Sequence, residues 1–408
     1  MWHGTNPPLH NASVGQASGI TDGDAAVQNT LYHLMCGMLY YSVMALFKSK
    51  SRLGIDIGTS AVKLVELGEQ SGRFILENYA TYELKSHGSQ DVVGSNLMDL
   101  SDEALTEVVV MLLKQSGIKS RDVVMSISSF STFATVIKMP YVNEEDLAQS
   151  IPFEARKYIP IPLDQVVLDW SIIGVVDEKG ATEPLADGQE PQAKPGTDTV
   201  VEVFLAAVPK DETGRYQHIA KGVGLNLVAL ELENSSLIRG LLGNDLSPTA
   251  IVNAGGRSTS ILIAHRGYER LSHNYEIGGF EMTKAIAQSL NIDLDQAEAL
   301  KRTYGLTDTP DNKAREPMQS LVDMMLFETK KTIASYEESH KVRVPRVVLI
   351  GGLANMPGLT TYFKQRLERD VLVGNVFARV VHPPELAPII STLSNTFAIA
   401  VGAAMRKS

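Results

Sequence analysis

Apolar and polar residues alternate in two short segments of the chain, and a glycine-rich turn interrupts each alternation. In Leu53–Gly68, LGIDIGTSAVKLVELG, apolar side chains recur at every second position before the turn at Gly58. A period of two predicts a strand, a tight turn and a second strand. Ala250–Ala264, AIVNAGGRSTSILIA, repeats this arrangement around Gly255 and Gly256. The repeat predicts two related halves whose glycine turns face each other.

A third glycine motif follows a short apolar run near the C-terminus. In Arg346–Leu359, the run VVLI predicts a buried strand that ends at Gly351 and Gly352. Asn355 is placed to cap a following helix that has Pro357 in its first turn. Glycines at a strand end allow a base and a ribose to pack against the backbone. The alternative interpretation is an ordinary strand-to-helix turn.

Two helical segments are predicted between the second and third glycine motifs. The sequence EIGGF, which includes Gly279, precedes a helical pattern over 281–290, and a further helix carries Glu298 and Lys301. Residues three apart share a helix face, so this carboxylate and this cation are neighbours. They are placed to contact ribose hydroxyls and a base. The alternative is a surface ion pair that contributes roughly a few tenths of a kcal/mol.

The first glycine turn has the chemistry of a phosphate-binding loop. Gly58 allows the backbone to approach a ligand closely, and successive amides in such a turn form a concave nest that favours anions. Asp56 lies on the strand just before the nest, where its carboxylate can hold water molecules of a hydrated Mg²⁺. The alternative is a plain β-hairpin with a turn glycine. A Walker A sequence, G-x-x-x-x-G-K-[ST], is absent.

Composition excludes several classes of function. The chain has 408 residues and a formal net charge of -10, and without a basic stripe it is a poor candidate for nucleic-acid binding. Cys36 is the single cysteine, which excludes a disulfide within the chain and any cysteine-based metal site. The nine histidines show no metal-ligand spacing.

The first 43 residues differ in composition from the rest of the chain. Residues 1–30 have the polar composition of a disordered segment, and an apolar run from Leu31 to Phe47 follows. The run is shorter than the roughly 20 apolar residues of a membrane span, although a membrane anchor remains an alternative. We expect residues 1–43 to be a disordered or unused extension and the domain to begin near Met44.

The combined motif order resembles the actin/FtsA superfamily, and within it the family of PilM, the cytoplasmic protein of type IV pilus assembly. The order is GIDIGTS, NAGGRST, IGG, A-E-x-x-K and IGGLANMPG, followed by a closing helix, NTFAIAVGAAMR. The segment KMPYVNEEDLAQSIPFEARKYIPIPLDQVVLDW also resembles a PilM segment. The resemblance implies an α/β, actin-like (ribonuclease H-like) fold with duplicated halves, an inserted α+β domain of the SHS2 type, and ATP with Mg²⁺ as ligands.

Carried over residue by residue, the resemblance assigns a nucleotide site. Metal contacts are implied for Asp56 and Asn253. Contacts with the nucleotide are implied for Gly58, Thr59, Ser60, Lys63, Gly255, Gly256, Thr259, Gly279, Glu298, Lys301, Gly351 and Gly352. Asn253 departs from the family pattern, which usually has Asp there. An amide lacks the charge that helps to bind Mg²⁺, so we expect ATP binding with absent or slow hydrolysis.

The predicted domain order follows the glycine motifs. Residues 44–121 begin the first half, 122–225 form the inserted domain, 226–248 return to the first half, and 249–408 form the second half with a small subdomain near 281–345. Within the insert, strands are predicted near 123–128, 133–138, 166–175 and 200–208, and helices near 144–158 and 212–222.

The resemblance implies an ATP-binding cytoplasmic scaffold that docks to the inner-membrane pilus complex. The implied partner is the N-terminal cytoplasmic peptide of PilN, bound between the first half and the inserted domain. Membrane association would then occur through that partner, and a homo-oligomer remains open. Two alternatives are a filament-forming protein of the FtsA kind and a phosphotransferase of the sugar-kinase kind, for which no clear catalytic Asp is evident.

Overall fold

The structure is a computed structural model, and it describes residues 37–38, 51–84, 96–141, 143–176, 182–184 and 199–407. The predicted extension 1–43 therefore lies outside the described residues, apart from Gly37–Met38. Within the described ranges, no helix combines the length and the apolar composition that a membrane span requires.

Strands and helices alternate along most of the described chain. The strands are β1 Gly37–Met38, β2 Arg52–Ile57, β3 Ala61–Gln70, β4 Arg73–Glu83, β5 Asp122–Ile127, β6 Phe133–Pro140, β7 Val166–Val176, β8 Thr182–Pro184, β9 Val200–Pro209, β10 Asn226–Leu232, β11 Thr249–Ala254, β12 Thr259–His265, β13 Tyr268–Tyr275, β14 Arg346–Ile350, β15 Asp370–Val373 and β16 Val380–Val381. The helices are α1 Asp102–Ser116, α2 Glu144–Ala155, α3 Lys210–Val223, α4 Glu233–Leu241, α5 Gly279–Leu290, α6 Leu294–Tyr304, α7 Arg315–His340, α8 Leu359–Arg366 and α9 Ile390–Ala404.

The first sheet has the strand order β1-β4-β3-β2-β5-β10, and β16 also pairs with β4. Its central strand β2 is antiparallel to β3 and parallel to β5. Leu53, Ile55 and Ile57 are buried in one core with residues of α1 and α3. On the opposite face Gly54 lies under α9, where an added Cβ would be 2.0 Å from the Ala400 carbonyl oxygen. Only glycine fits at this helix crossing.

The second sheet repeats the hairpin of the first and has the order β13-β12-β11-β14-β15. Helices α5, α7 and α8 share a core with one face of this sheet. A separate core joins the two sheets, because it contains residues of β3 and β4, of β11 and β12, and of the intervening helices α4 and α9. The sheet–helix–sheet arrangement confirms the predicted α/β class with two related halves.

A third, four-stranded sheet forms the insert, in the order β6-β9-β7-β8, with α2 against it. The insert is narrower than the predicted 122–225. β5 pairs with β2 and β10 in the first sheet, and Tyr216 and Ile219 of α3 are buried in the first-half core. Both elements bury their apolar faces against the first half, so the separate sheet spans 133–209 only.

Candidate functional site

The two predicted glycine turns are matching hairpin tips that meet between the halves. In the first hairpin the Gly58 amide donates to the Ala61 carbonyl at 2.9 Å, and in the second the Gly255 amide donates to the Ser258 carbonyl at 2.9 Å. Each tip therefore has two residues between its closing pair. A Cβ on Gly256 would lie 2.3 Å from Ser60 Oγ, so the tips come into close contact.

Around these tips lies a cleft of about 930 Å³. All but one of the residues predicted to bind the nucleotide or its metal line this cleft: Asp56, Gly58, Thr59, Ser60, Lys63, Asn253, Gly255, Gly256, Gly279, Glu298, Lys301, Gly351 and Gly352. The exception is Thr259. Its side chain is fully buried, and its hydroxyl donates to the Ile277 carbonyl at 2.7 Å. Thr259 therefore supports the second hairpin from behind.

Asp56 is buried at the floor of the cleft. Its Oδ2 accepts a hydrogen bond from Lys63 Nζ at 2.9 Å, because the two residues are directly opposite in the β2–β3 register. Ser126 of β5 lies 3.5 Å from its other oxygen. The equivalent pair in the second hairpin is Asn253 opposite Ser260. One half of the cleft thus presents an ion pair where the other presents neutral polar groups.

Glu233 is a cleft residue that the sequence analysis missed. It begins α4 and accepts a hydrogen bond from the Ser129 hydroxyl at 2.6 Å. Loss of contact with bulk water raises the pKa of Glu233 to about 7, and the nearby Asp56 carboxylate adds to the rise while the Ser129 bond opposes it. The available signal was an acidic residue directly after an apolar strand, in the sequence ALELENSS.

Glu298 and Lys301 form an ion pair in which Lys301 is buried and Glu298 is half-buried. Lys301 Nζ donates to Glu298 at 2.6 Å, to the Gly279 carbonyl at 2.8 Å and to Thr283 Oγ1 at 2.8 Å, which uses all three ammonium protons. Burial alone would raise the pKa of Glu298, but the charges and hydrogen bonds of Lys301 and Arg302 hold it at about 2. The pair fixes α6 against the start of α5 at the edge of the cleft.

Arg302 also reaches across the cleft. Its guanidinium lies 2.7 Å from Glu298 in its own half and 4.0 Å from Glu83 in the first half. An exposed pair at that distance contributes little energy on its own, but it spans the opening between the halves.

The third glycine motif closes one wall of the cleft. Gly351 has φ +91°, and a Cβ there would lie 2.3 Å from the Ala254 carbonyl oxygen, whereas Gly352 leaves open space. Asn355 does not cap the following helix as predicted. It accepts a hydrogen bond from Asn395 at 2.7 Å, and α8 begins at Leu359 after the left-handed Gly358. The turn at Gly358 separates Asn355 from the helix that it was expected to cap.

Several buried oxygens in the cleft have no hydrogen-bond partner in the described part of the protein. They are Thr81 Oγ1, Ser260 Oγ and Asn395 Oδ1. Leaving a buried polar group unpaired is costly, so a cleft with several such groups suits a polar occupant. Among the described residues no group of three or more His, Cys, Asp or Glu side chains is arranged to hold a metal.

Comparison with known proteins identifies the family. A family model described as type IV pilus assembly protein PilM matches residues 54–408. The chain belongs to the PilM family. A solved PilM-PilN type IV pilus biogenesis complex is similar to this PilM-family chain with a TM-score of 0.70 and 23% identity, over 87% of this chain and 98% of that one. The fold is actin-like.

More distant relatives of the PilM-family chain include FtsA. The cell division protein FtsA of Enterococcus faecalis is 22% identical over 365 residues, which cover 79% of this chain and 78% of that protein. FtsA of Bacillus subtilis is 21% identical over 364 residues, which cover 81% and 78% of the two chains. The ethanolamine utilization protein EutJ of Carboxydothermus hydrogenoformans has a TM-score of 0.50 at 17% identity, over 88% and 90%.

Proposed function

We propose that this PilM-family chain is an ATP-binding scaffold of type IV pilus assembly. The observation that carries the proposal is the meeting of two matching glycine hairpins in one cleft with unpaired buried oxygens. Tip amides suit phosphates, and open space at Gly352 suits a nucleoside. Asp56 would hold water molecules of a phosphate-bound Mg²⁺, while Glu298 and Lys301 would border the nucleoside.

Docking to the pilus machinery is the second part of the proposal. A similar solved structure is a PilM-PilN complex, and we propose the N-terminal peptide of PilN as the partner of this chain too. The peptide would bind between the first half and the insert, so that the chain stays on the cytoplasmic side and reaches the inner membrane through PilN. Hydrolysis would be slow because Asn253 replaces a charged residue at the second hairpin.

Calorimetric titration with nucleotide tests the proposed site. Wild-type protein should bind MgATP, and Asp56→Ala should weaken MgATP far more than Mg-free ATP, because Asp56 is proposed to act through the metal's water shell. Ser126→Ala, which alters only the neighbour of Asp56, is the matched control and should have a small effect in both titrations. Equal losses for both ATP forms in Asp56→Ala would mean that Asp56 only supports its hairpin.

The similarity to FtsA leaves one alternative, a filament-forming protein of the FtsA kind. Sedimentation of the protein with and without MgATP separates the two functions. A scaffold stays in the supernatant under both conditions, whereas a filament-forming protein pellets when the nucleotide is present.

A further inference from the structure

Arg257 occupies the tip of the second hairpin. Counted from the closing glycines, it is equivalent to Ser60 of the first tip, because Gly58 and Gly255 make the same closing hydrogen bond. Its neighbour Gly256 approaches Ser60 closely, since a Cβ added to Gly256 would lie 2.3 Å from Ser60 Oγ. Any group held between the two tips would therefore meet Ser60 from one side and Arg257 from the other.

The Arg257 side chain is held by an aromatic ring. Its guanidinium carbon lies 4.2 Å from the centroid of Phe280, and both residues line the cleft. The Phe280 amide donates to the Gly256 carbonyl at 2.7 Å, so the backbone of Phe280 is tied to the hairpin that carries the arginine. Stacking occupies the face of the guanidinium and leaves the N–H groups at its edge available for oxygen acceptors.

Arg257 forms no ion pair with any carboxylate among the described residues. Lys63 is paired with Asp56, Lys301 with Glu298, and Arg302 with Glu298. Among the cleft-lining cations in the described ranges, only Arg257 has no carboxylate partner. The cleft also contains Glu233 and Asp295, and an anionic ligand placed near these carboxylates needs a cation that is free to pair with it.

We propose that Arg257 binds the phosphate chain of the nucleotide from the second hairpin. The inference rests on the proposed ATP site and names a further residue of it. A guanidinium edge matches phosphate oxygens with two parallel hydrogen bonds, which a single ammonium does not do. Asn253 is neutral and therefore contributes no charge to binding a metal at the second hairpin. Arg257 would instead place a positive charge directly beside the phosphates at the tip of that hairpin.

Titration of Arg257→Gln with MgATP, MgADP and adenosine tests this role. Loss of a charge-assisted hydrogen bond should lower MgATP affinity about ten- to hundred-fold, with a smaller loss for MgADP and none for adenosine. Arg257→Lys keeps the charge and should recover part of the loss. The matched control is Arg366→Gln, because Arg366 also stacks on an aromatic ring, Tyr362 at 3.6 Å, but does not line the cleft.

The outcomes separate this inference from the proposed function. If the wild-type protein binds no MgATP, the nucleotide site itself is refuted. If wild-type and Arg257→Gln bind MgATP equally, or if Arg257→Gln loses adenosine as strongly as MgATP, the role of Arg257 in phosphate binding is refuted and the site stands. The unfolding midpoint without ligand should stay close to that of the wild type in Arg257→Lys, and in Arg257→Gln it should fall only slightly, through loss of the Phe280 contact, since the side chain pairs with no carboxylate in the described chain.

Discussion

Asp56 and Asn253 occupy the same position in the two hairpins and differ by one charge. Each lies two residues before its closing glycine, opposite Lys63 or Ser260. Stabilisation of developing charge is often the largest catalytic contribution, and loss of one such group costs about 10²–10³ in rate. We expect slow single-turnover hydrolysis in the wild type and a faster rate in Asn253→Asp. Brisk wild-type turnover would contradict this account of Asn253.

The raised pKa of Glu233 leads to a second prediction at the scale of single residues. Its pKa in the folded protein is about 7, above its usual value of 4.5, so folded protein binds the proton more tightly than unfolded protein between these values. Its contribution to stability is therefore fully present below about pH 4.5 and is lost as the pH rises through about 7.

Replacing Glu233 with Gln removes this ionisation. We expect Glu233→Gln to raise the free energy of unfolding at pH 8 by on the order of 1–3 kcal/mol, seen as a higher urea midpoint. At pH 5 the substitution should change the midpoint little. Glu276→Gln removes an exposed glutamate of the other half and is the control. Urea unfolding at the two pH values measures the effect, and an equal shift at both would show that Glu233 does not titrate in this range.

At the scale of elements, α9 lies directly against β2. Gly54→Ala would place a Cβ 2.0 Å from the Ala400 backbone, so the helix has to move and the protein should lose several kcal/mol of stability, about the cost of severe overpacking. Gly214→Ala is the matched control, because it lies in α3 with nothing within 4 Å of the added Cβ. That change should stabilise the protein by roughly 0.5–1 kcal/mol. Thermal unfolding of both variants tests whether α9 packs tightly against β2. Unchanged stability of Gly54→Ala would show that it does not.

Strands with alternating apolar residues were predicted well, and contacts between distant elements were not. The hairpins at Gly58 and Gly255 follow from a local period of two, so the sequence is sufficient to predict them. The pairing of β16 with β4 joins a two-residue strand to a partner some 300 positions earlier, and no local pattern indicates it. Glu233 was missed for the same reason, since its neighbours Asp56 and Ser129 approach it only in the folded chain.

At the scale of the whole molecule, the proposed nucleotide lies where the two halves meet. If the two halves exchange between two relative arrangements, a ligand shifts the equilibrium between them only by the difference in its affinity for the two. If ATP changes affinity for the PilN peptide, the peptide changes ATP affinity by the same factor. We expect a change of about five-fold or more. Titrations in both orders measure it, and unchanged peptide affinity at saturating ATP would leave the nucleotide as a structural ligand only.

Placing α9 beneath β2 has a consequence for synthesis of the chain. The N-terminal sheet is covered by a helix that leaves the ribosome after all the other described elements, since Ile390–Ala404 follows them in the chain. Until that helix emerges, the face of β2 and β3 that it covers has no partner. That face of the first sheet therefore gains its native packing only after α9 has been synthesised, whereas the opposite face can pack against α1 and α3 earlier. Contacts this far apart in sequence also slow folding, because a long loop has to close before they form.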